Sequence, residues 1–175
     1  MPELEPDALL GALGDYGGNH GDLSPGMAGK TTDFYFGGNG TGVLISARPT
    51  CKDGEVIGWT DKIRATDIVD GLSKTFLIGE MHIARRNMGV LPNEGPIYCG
   101  SEVYYSTRVV GPGARLALGP NDQAASQYSF GSWHPGVCHF AFADGSVQAL
   151  SVNTNTDLLA KLGNRNDGSE LKAIE

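Results

Sequence analysis

No stretch of the chain approaches the roughly 18 consecutive apolar residues that a membrane-crossing helix requires, and no basic-then-apolar leader opens at Met1. The opening segment MPELEPDALLGALGDY reads as a linker or short helix leading into a domain. That expectation places the protein in the cytoplasm, or outside it after loss of an exporting segment. Basic side chains are scarce, 13 against 20 acidic ones for a net charge of −7, and they form no cluster. A nucleic-acid backbone partner is therefore excluded, and the acidic surface serves solubility. Three cysteines, Cys51, Cys99 and Cys138, make an odd count that excludes a complete disulfide framework. One bridge with a buried thiol, or three free thiols, remain open, and a buried free cysteine packs as a small hydrophobe. No G-x-S-x-G, H-E-x-x-H or phosphate-loop motif occurs.

What is present is a composition that folds. The chain is 40% hydrophobic over 175 residues, enough for one domain with a real core. Its 26 glycines and nine prolines describe a chain that turns often, with more strand and loop than long helix. The expected fold is α+β: a mainly antiparallel β-sheet with long loops and short helices, including strands at 43–46, 74–78, 139–143 and 146–150. Residues 16–42 read as a glycine- and asparagine-rich loop with a short strand at 33–36. Asp53-Gly54 signals a hairpin turn before a strand at 55–59. In ATDIVDGLSKTFLIGE, Thr66 or Asp67 caps a single helical turn through Asp70, Gly71 ends it, and the following strand stops at Gly79-Glu80. A strand is expected at 102–110, inside a loop-rich insertion at about 85–119. Near the C-terminus, Thr154 or Asn155 caps a helix whose stripe is Leu158, Leu159 and Leu162, with Gly163 as its stop. Asn153, Asn155 and Asp157 alternate as in a calcium loop, but the turn glycine and distal glutamate of such a loop are missing.

The stretch SWHPGVCHFAFADGSVQAL poses the chemical question, because His134 is followed nine residues later by Asp144-Gly145. A two-residue type I′ turn at Asp144-Gly145 would set Phe142 opposite Val147 and Phe140 opposite Ala149, giving one apolar face of Phe140, Phe142, Val147, Ala149 and Cys138. A strand rises about 3.3 Å per residue, which separates His134 from Asp144 by roughly 25 Å. The two therefore mark opposite ends of a strand and share no proton or ion. The expected role for His134 is to hold the corner, where it can bond a backbone carbonyl; the alternative is a site residue that works with another part of the chain. A zinc set of His134, Cys138 and His139 fits no standard module, and adjacent Cys138 and His139 point to opposite faces.

These residues resemble a known family. WHPGVCHFAFADGSV is similar to the H-x9-DG signature of the prepilin-type processing-associated domain, a family abundant in planctomycete bacteria. ATDIVDGLSKTFLIGE resembles that family's other hallmark, written roughly ADITDGTSNTLLVGE, and GDYGGNHG resembles its DYAGN element. The three matches keep the family's order and reach from Asp15 towards the final helix, while residues 50–59 and 85–119 have no counterpart. The resemblance implies a pilin- or pseudopilin-like head domain over 1–175, outside the cytoplasmic membrane and normally anchored by an N-terminal prepilin helix that these residues do not include. It carries no catalytic residue with it. His134, Asp144, Gly145, Gly79, Glu80, Asp70 and Gly71 match its motif positions, and a structural role is expected for them.

Three functions follow as expectations. The first is a non-enzymatic structural or interaction module in a type II secretion or type IV pilin-like envelope or surface assembly, with other protein subunits as partners and no resident cofactor. The second is an extracellular calcium- or small-ligand-binding module, with Asp67, Asp70, Glu80, Asp122 and Asp167 as the candidate Ca2+ ligands. The third is a metal-dependent hydrolase.

Overall fold

The computed structural model describes residues 12–22, 40–45, 47–60, 62–89, 94–98 and 105–168, so the expected strand at 33–36 and Cys99 lie outside the described residues. YGGNHGD, expected to be loop, is strand β1 (Tyr16–Asp22), and it lies inside the sheet. Strand propensity argues against such a segment; close packing favours it. A Cβ at Gly17 would stand 2.9 Å from Met81 Cγ, and one at Gly18 would stand 2.8 Å from Leu44 Cδ1. A strand without side chains at these points lets its neighbours close over it.

The main sheet also contains β4 (Phe76–Glu80), β5 (Thr107–Val110), β6 (Val137–Phe142) and β7 (Val147–Ser151), in the order β5-β1-β4-β6-β7. The β1–β4, β4–β6 and β6–β7 pairings are antiparallel and β1–β5 is parallel, so the sheet is mixed. A separate two-stranded sheet pairs β2 (Arg48–Lys52) with β3 (Glu55–Thr60). Its turn is the expected Asp53-Gly54, with φ of +51° and +84°. The α-helix of the described residues is α1 (Thr156–Gly163). The described structure is thus mostly β, with a five-stranded mixed sheet, this helix and short 3-10 turns. Among the described residues no helix is long and apolar enough to cross a membrane.

Several expectations are corrected. Residues 43–45 bend rather than form a sheet strand, and Ser46 lies outside the described residues. The segment hangs on the end of β1 by two bonds, Gly42 N–H to the His20 carbonyl (2.9 Å) and Leu44 N–H to the Asn19 carbonyl (2.9 Å). Leu44 stays exposed. The strand expected at 74–78 runs Phe76–Glu80, so Gly79 and Glu80 belong to it. Before it come two 3-10 turns, Ala65–Asp67 and Leu72–Lys74. The strand expected at 102–110 is Thr107–Val110, with 102–104 outside the described residues. Within the stretch expected to be an insertion, β5 is an edge of the main sheet, and Ala114, Leu116 and Ala117 are fully buried.

The β6–β7 register differs from expectation by one residue. Ala141 faces Val147, Phe140 faces Gln148 and Cys138 faces Leu150. Gly145 N–H bonds the Phe142 carbonyl (2.9 Å) and Phe142 N–H bonds the Ser146 carbonyl (2.8 Å), with Gly145 at φ +87°. This is a three-residue loop ending in a left-handed glycine, in place of a two-residue I′ turn. Because a slip of one residue exchanges faces, Leu150 and Val152 join Cys138, Phe140 and Phe142 inside, and Val147 and Ala149 face outward.

The core is built on four phenylalanines. Phe76 stacks on Phe140 at 4.1 Å between centroids, and Phe142 and Phe130 meet that pair edge-on at 5.3 and 5.2 Å. Leu159 and Leu162 of α1 close it from the inner face. The helix is capped by Asn155, whose side chain accepts from Asp157 N–H (2.7 Å). Gly163 is inside the helix rather than beyond it; a Cβ there would overlap Val110. Buried Asn19 links the layers, its Nδ2 donating to the carbonyls of Phe76 (2.9 Å) and Gly163 (2.8 Å).

Packing at Gly79 makes a test. A Cβ there would lie 2.5 Å from Phe140 Cε1 and 2.8 Å from Phe130 Cδ1. Gly79→Ala should lower stability by about 1–3 kcal/mol through overpacking, read as a shift in the urea unfolding midpoint. Gly58→Ala, on a strand with open space at that position, should shift it by less than about 0.5 kcal/mol.

Candidate functional site

Two strands fix this site. Gly79 pairs with Phe140, so Glu80, one residue further along β4, turns to the opposite face of the sheet. On β6 the alternation puts Cys138, Phe140 and Phe142 inside, and Val137, His139 and Ala141 outside. Glu80 and His139 therefore meet on the outer face. His139 N–H donates to Glu80 Oε2 (2.7 Å), and His139 Nδ1 is 3.1 Å from the same oxygen. The corner before β6 brings the third group. His134 N–H bonds Ser132 Oγ (3.0 Å), Gly136 turns the chain at φ +74°, and His134 Nε2 lies 3.3 Å from Glu80 Oε1. The two imidazoles stand edge to face, 5.2 Å apart. Each carboxylate oxygen thus faces one histidine.

Exposure separates the three. The Glu80 side chain is 13% exposed, that of His139 41% and that of His134 60%. The carboxylate is seated in the fold and the rings reach towards solvent. Two clefts adjoin them. One of about 420 Å³ includes Tyr16, Met81, Met88 and Trp133 in its walls, and one of about 330 Å³ is lined in part by Tyr16, Ile78, Ala141 and Val147. Arg85 lies over the Trp133 ring, 5.1 Å from its centroid.

His134 faces a carboxylate, where a backbone carbonyl was expected. Cys138 is withdrawn from the zinc set considered above: its sulfur lies in the core, and burial, aided by the charge of Glu80, pushes its thiol up to about 12. Asp144 fastens the β6–β7 loop, its Oδ1 accepting from Ser146 N–H (2.9 Å) and Oγ–H (2.7 Å). Those bonds hold its carboxyl below the ordinary range. Asp70 accepts the N–H groups of Asp167 (2.7 Å) and Gly168 (3.1 Å), and Gly71 adopts φ +105°. Asp67 accepts Arg64 N–H (2.7 Å), so it stands inside the turn it was expected to cap. Asp122 holds Arg115 through both oxygens (2.7 and 3.1 Å) and accepts from Leu118 N–H (2.9 Å). Among the described residues, the three His, Cys, Asp or Glu donors that come close enough to share an ion are Glu80, His134 and His139, their ligand atoms all within 4.8 Å.

Glu80 as the partner of His134 was missed because it lies in the other signature. The signal was in the spacing. One segment reads Asp70-Gly71, eight residues, Glu80; the other reads His134, nine residues, Asp144-Gly145. Paired antiparallel, they put the two Asp-Gly turns at one end and Glu80 with His134 at the other. The bonds agree: Asp144 N–H meets the Leu72 carbonyl (3.1 Å) and Ala143 N–H meets that of Thr75 (2.9 Å).

Residues 11–157 match the family described as "Protein of unknown function (DUF1559)", and the chain belongs to it. Among curated proteins and among solved structures, nothing matches the chain.

Two measurements check the placements. Iodoacetamide should alkylate the exposed Cys51 in the folded protein and leave Cys138 unmodified until denaturant is added, read by peptide mass spectrometry; equal rates would contradict the inward orientation of Cys138. The hydrogen bond and charge of Arg115 hold the Asp122 carboxyl well below the usual range. A carboxylate so depressed gives stability that is complete above its unfolded value of about 4 and is lost as the pH falls below it. Asp122→Asn should cost about 1–3 kcal/mol at neutral pH. The gap to the parent protein should stay constant down to about pH 5 and narrow below about pH 4, as followed by urea midpoints.

Proposed function

Given membership of this family, we propose that the domain is a non-enzymatic interaction module: the extracytoplasmic head of a pseudopilin-like protein in a type II secretion or pilin-type envelope assembly. The H-x9-DG correspondence at 134–145 and the companion segment at 65–80 support the prepilin-type assignment and a planctomycete-like source. In this reading an N-terminal helix anchors the head to the membrane, and other subunits of the assembly are its partners.

The observation that carries the reading is the β2–β3 hairpin. It forms its own sheet and presents Val56, Ile57 and Trp59 at 53, 63 and 51% exposure. Large apolar side chains grouped in solvent mark interaction surfaces, and covering them yields about 25 cal/mol per Å² of apolar area. The motif residues fit a structural role as well. Asp70 and Asp144 secure turns, and Glu80 secures the β6 backbone at His139.

In cells of the native host, a photo-crosslinking amino acid at position 57 or 59 should give a discrete adduct with an envelope protein. The same group at exposed position 166 should give none. Fractionation should place the domain outside the cytoplasmic membrane. Absence of adducts from 57 and 59, or turnover of ester, peptide or glycoside substrates that disappears in His134→Ala, would defeat the proposal.

A further inference from the structure

We propose that Glu80, His134 and His139 bind a single divalent transition-metal ion of the zinc class. This inference goes beyond the interaction role and stands independently of it. The donor set is its first support. Two imidazoles and one carboxylate suit Zn2+, Co2+ or Ni2+, whereas Ca2+ and Mg2+ take shells of oxygen. Together with M2+, one carboxylate and two neutral imidazoles leave a net charge of +1, a common balance for a site with open positions.

The spacing is the second support. In a tetrahedral site with metal–ligand bonds of about 2.0–2.1 Å, donor atoms lie about 3.3 Å from one another. Here His134 Nε2 lies 3.3 Å from Glu80 Oε1 and His139 Nδ1 lies 3.1 Å from Glu80 Oε2, so each ring already meets one oxygen of the carboxylate at about that spacing. One donor atom from each of the three residues lies within 4.8 Å of the other two, a gap that small rotations of two exposed rings can close.

Preorganisation is the third. Glu80 and His139 stand on paired strands, and His139 N–H fixes Glu80 Oε2 at 2.7 Å, the kind of outer bond that orients a ligating carboxylate. The His134 backbone is held by Ser132 Oγ at 3.0 Å. Three protein ligands leave a fourth position for water or a further donor, and the two clefts walled in part by Tyr16 adjoin the cluster.

The test uses the folded, chelator-treated protein carrying Cys51→Ser, since an exposed thiol can bind zinc by itself. ZnCl2 is titrated by calorimetry and against a chromogenic zinc indicator, and CoCl2 is followed by visible absorption. The expected result is one ion per chain, a raised thermal midpoint, cobalt bands without a thiolate charge-transfer band, and no competition from CaCl2. His134→Ala and His139→Ala, which leave Glu80 in place, should each weaken Zn2+ binding by at least about 100-fold, since loss of even an outer-shell support costs about 10–100-fold. Failure of the folded protein to bind Zn2+ overturns the proposal, as does stoichiometric binding that survives both histidine variants. Neither result depends on crosslinking at position 59, so this site and the interaction role stand or fall separately.

Discussion

The arrangement depends on a missing side chain. Gly79 has no Cβ, and the space where one would project is filled by the rings of Phe140 and Phe130. That contact sits where Gly79 pairs with Phe140; a register shift between Phe76 and Ile78 follows, and Phe76 stacks on Phe140 at 4.1 Å. It also decides the other face. With Gly79 turned inward, Glu80 turns outward and meets the backbone N–H of His139. One close approach therefore organises both the phenylalanine core and the cluster on the sheet's outer surface. A residue of any size at 79 would have to move two rings that the rest of the core packs against.

This dual role explains which parts of the fold were legible from sequence. Local chemistry was readable where it acts alone. The Asp53-Gly54 turn, the Asn155 cap and the Leu158, Leu159, Leu162 stripe formed as expected. β1 was not readable, because YGGNHGD has the composition of a loop and becomes a strand only through its neighbours. The β6–β7 register was half readable. Alternation correctly placed Phe140 and Phe142 on one face, but Asp-Gly serves in two kinds of turn. The Phe142 to Ser146 bond selects the longer one and turns Val147 outward.

The candidate site was illegible for a related reason. H-x9-DG invites a search for chemistry between its own ends, where a strand keeps them apart. The chemistry lies across the sheet, between equivalent ends of two antiparallel signatures. Each signature contributes one Asp-Gly turn and one donor, and pairing superposes turn on turn and donor on donor. The Asp144 N–H bond to the Leu72 carbonyl and the Glu80–His134 contact mark the two ends of that pairing. The spacing of each motif is then set by the length of the strands rather than by a shared reaction centre. His139 enters because it is the outward residue of β6 nearest Glu80.

Structural need accounts for only part of this cluster. Seating the Glu80 carboxylate at 13% exposure costs solvation, and the His139 backbone N–H at 2.7 Å offsets much of that cost. The imidazoles contribute less to the fold. His134 is 60% exposed and His139 41%, so each ring gives up little of its own solvation to meet the carboxylate and adds little buried area to the fold. The bond that fastens the strand end uses the backbone N–H of residue 139 rather than its ring, and the corner is held through the Ser132 hydroxyl and the turn at Gly136. Two imidazoles aimed at the two oxygens of one seated carboxylate form a donor set in excess of what the sheet needs to hold together. Ion binding uses all three groups at once, whereas strand fastening uses one.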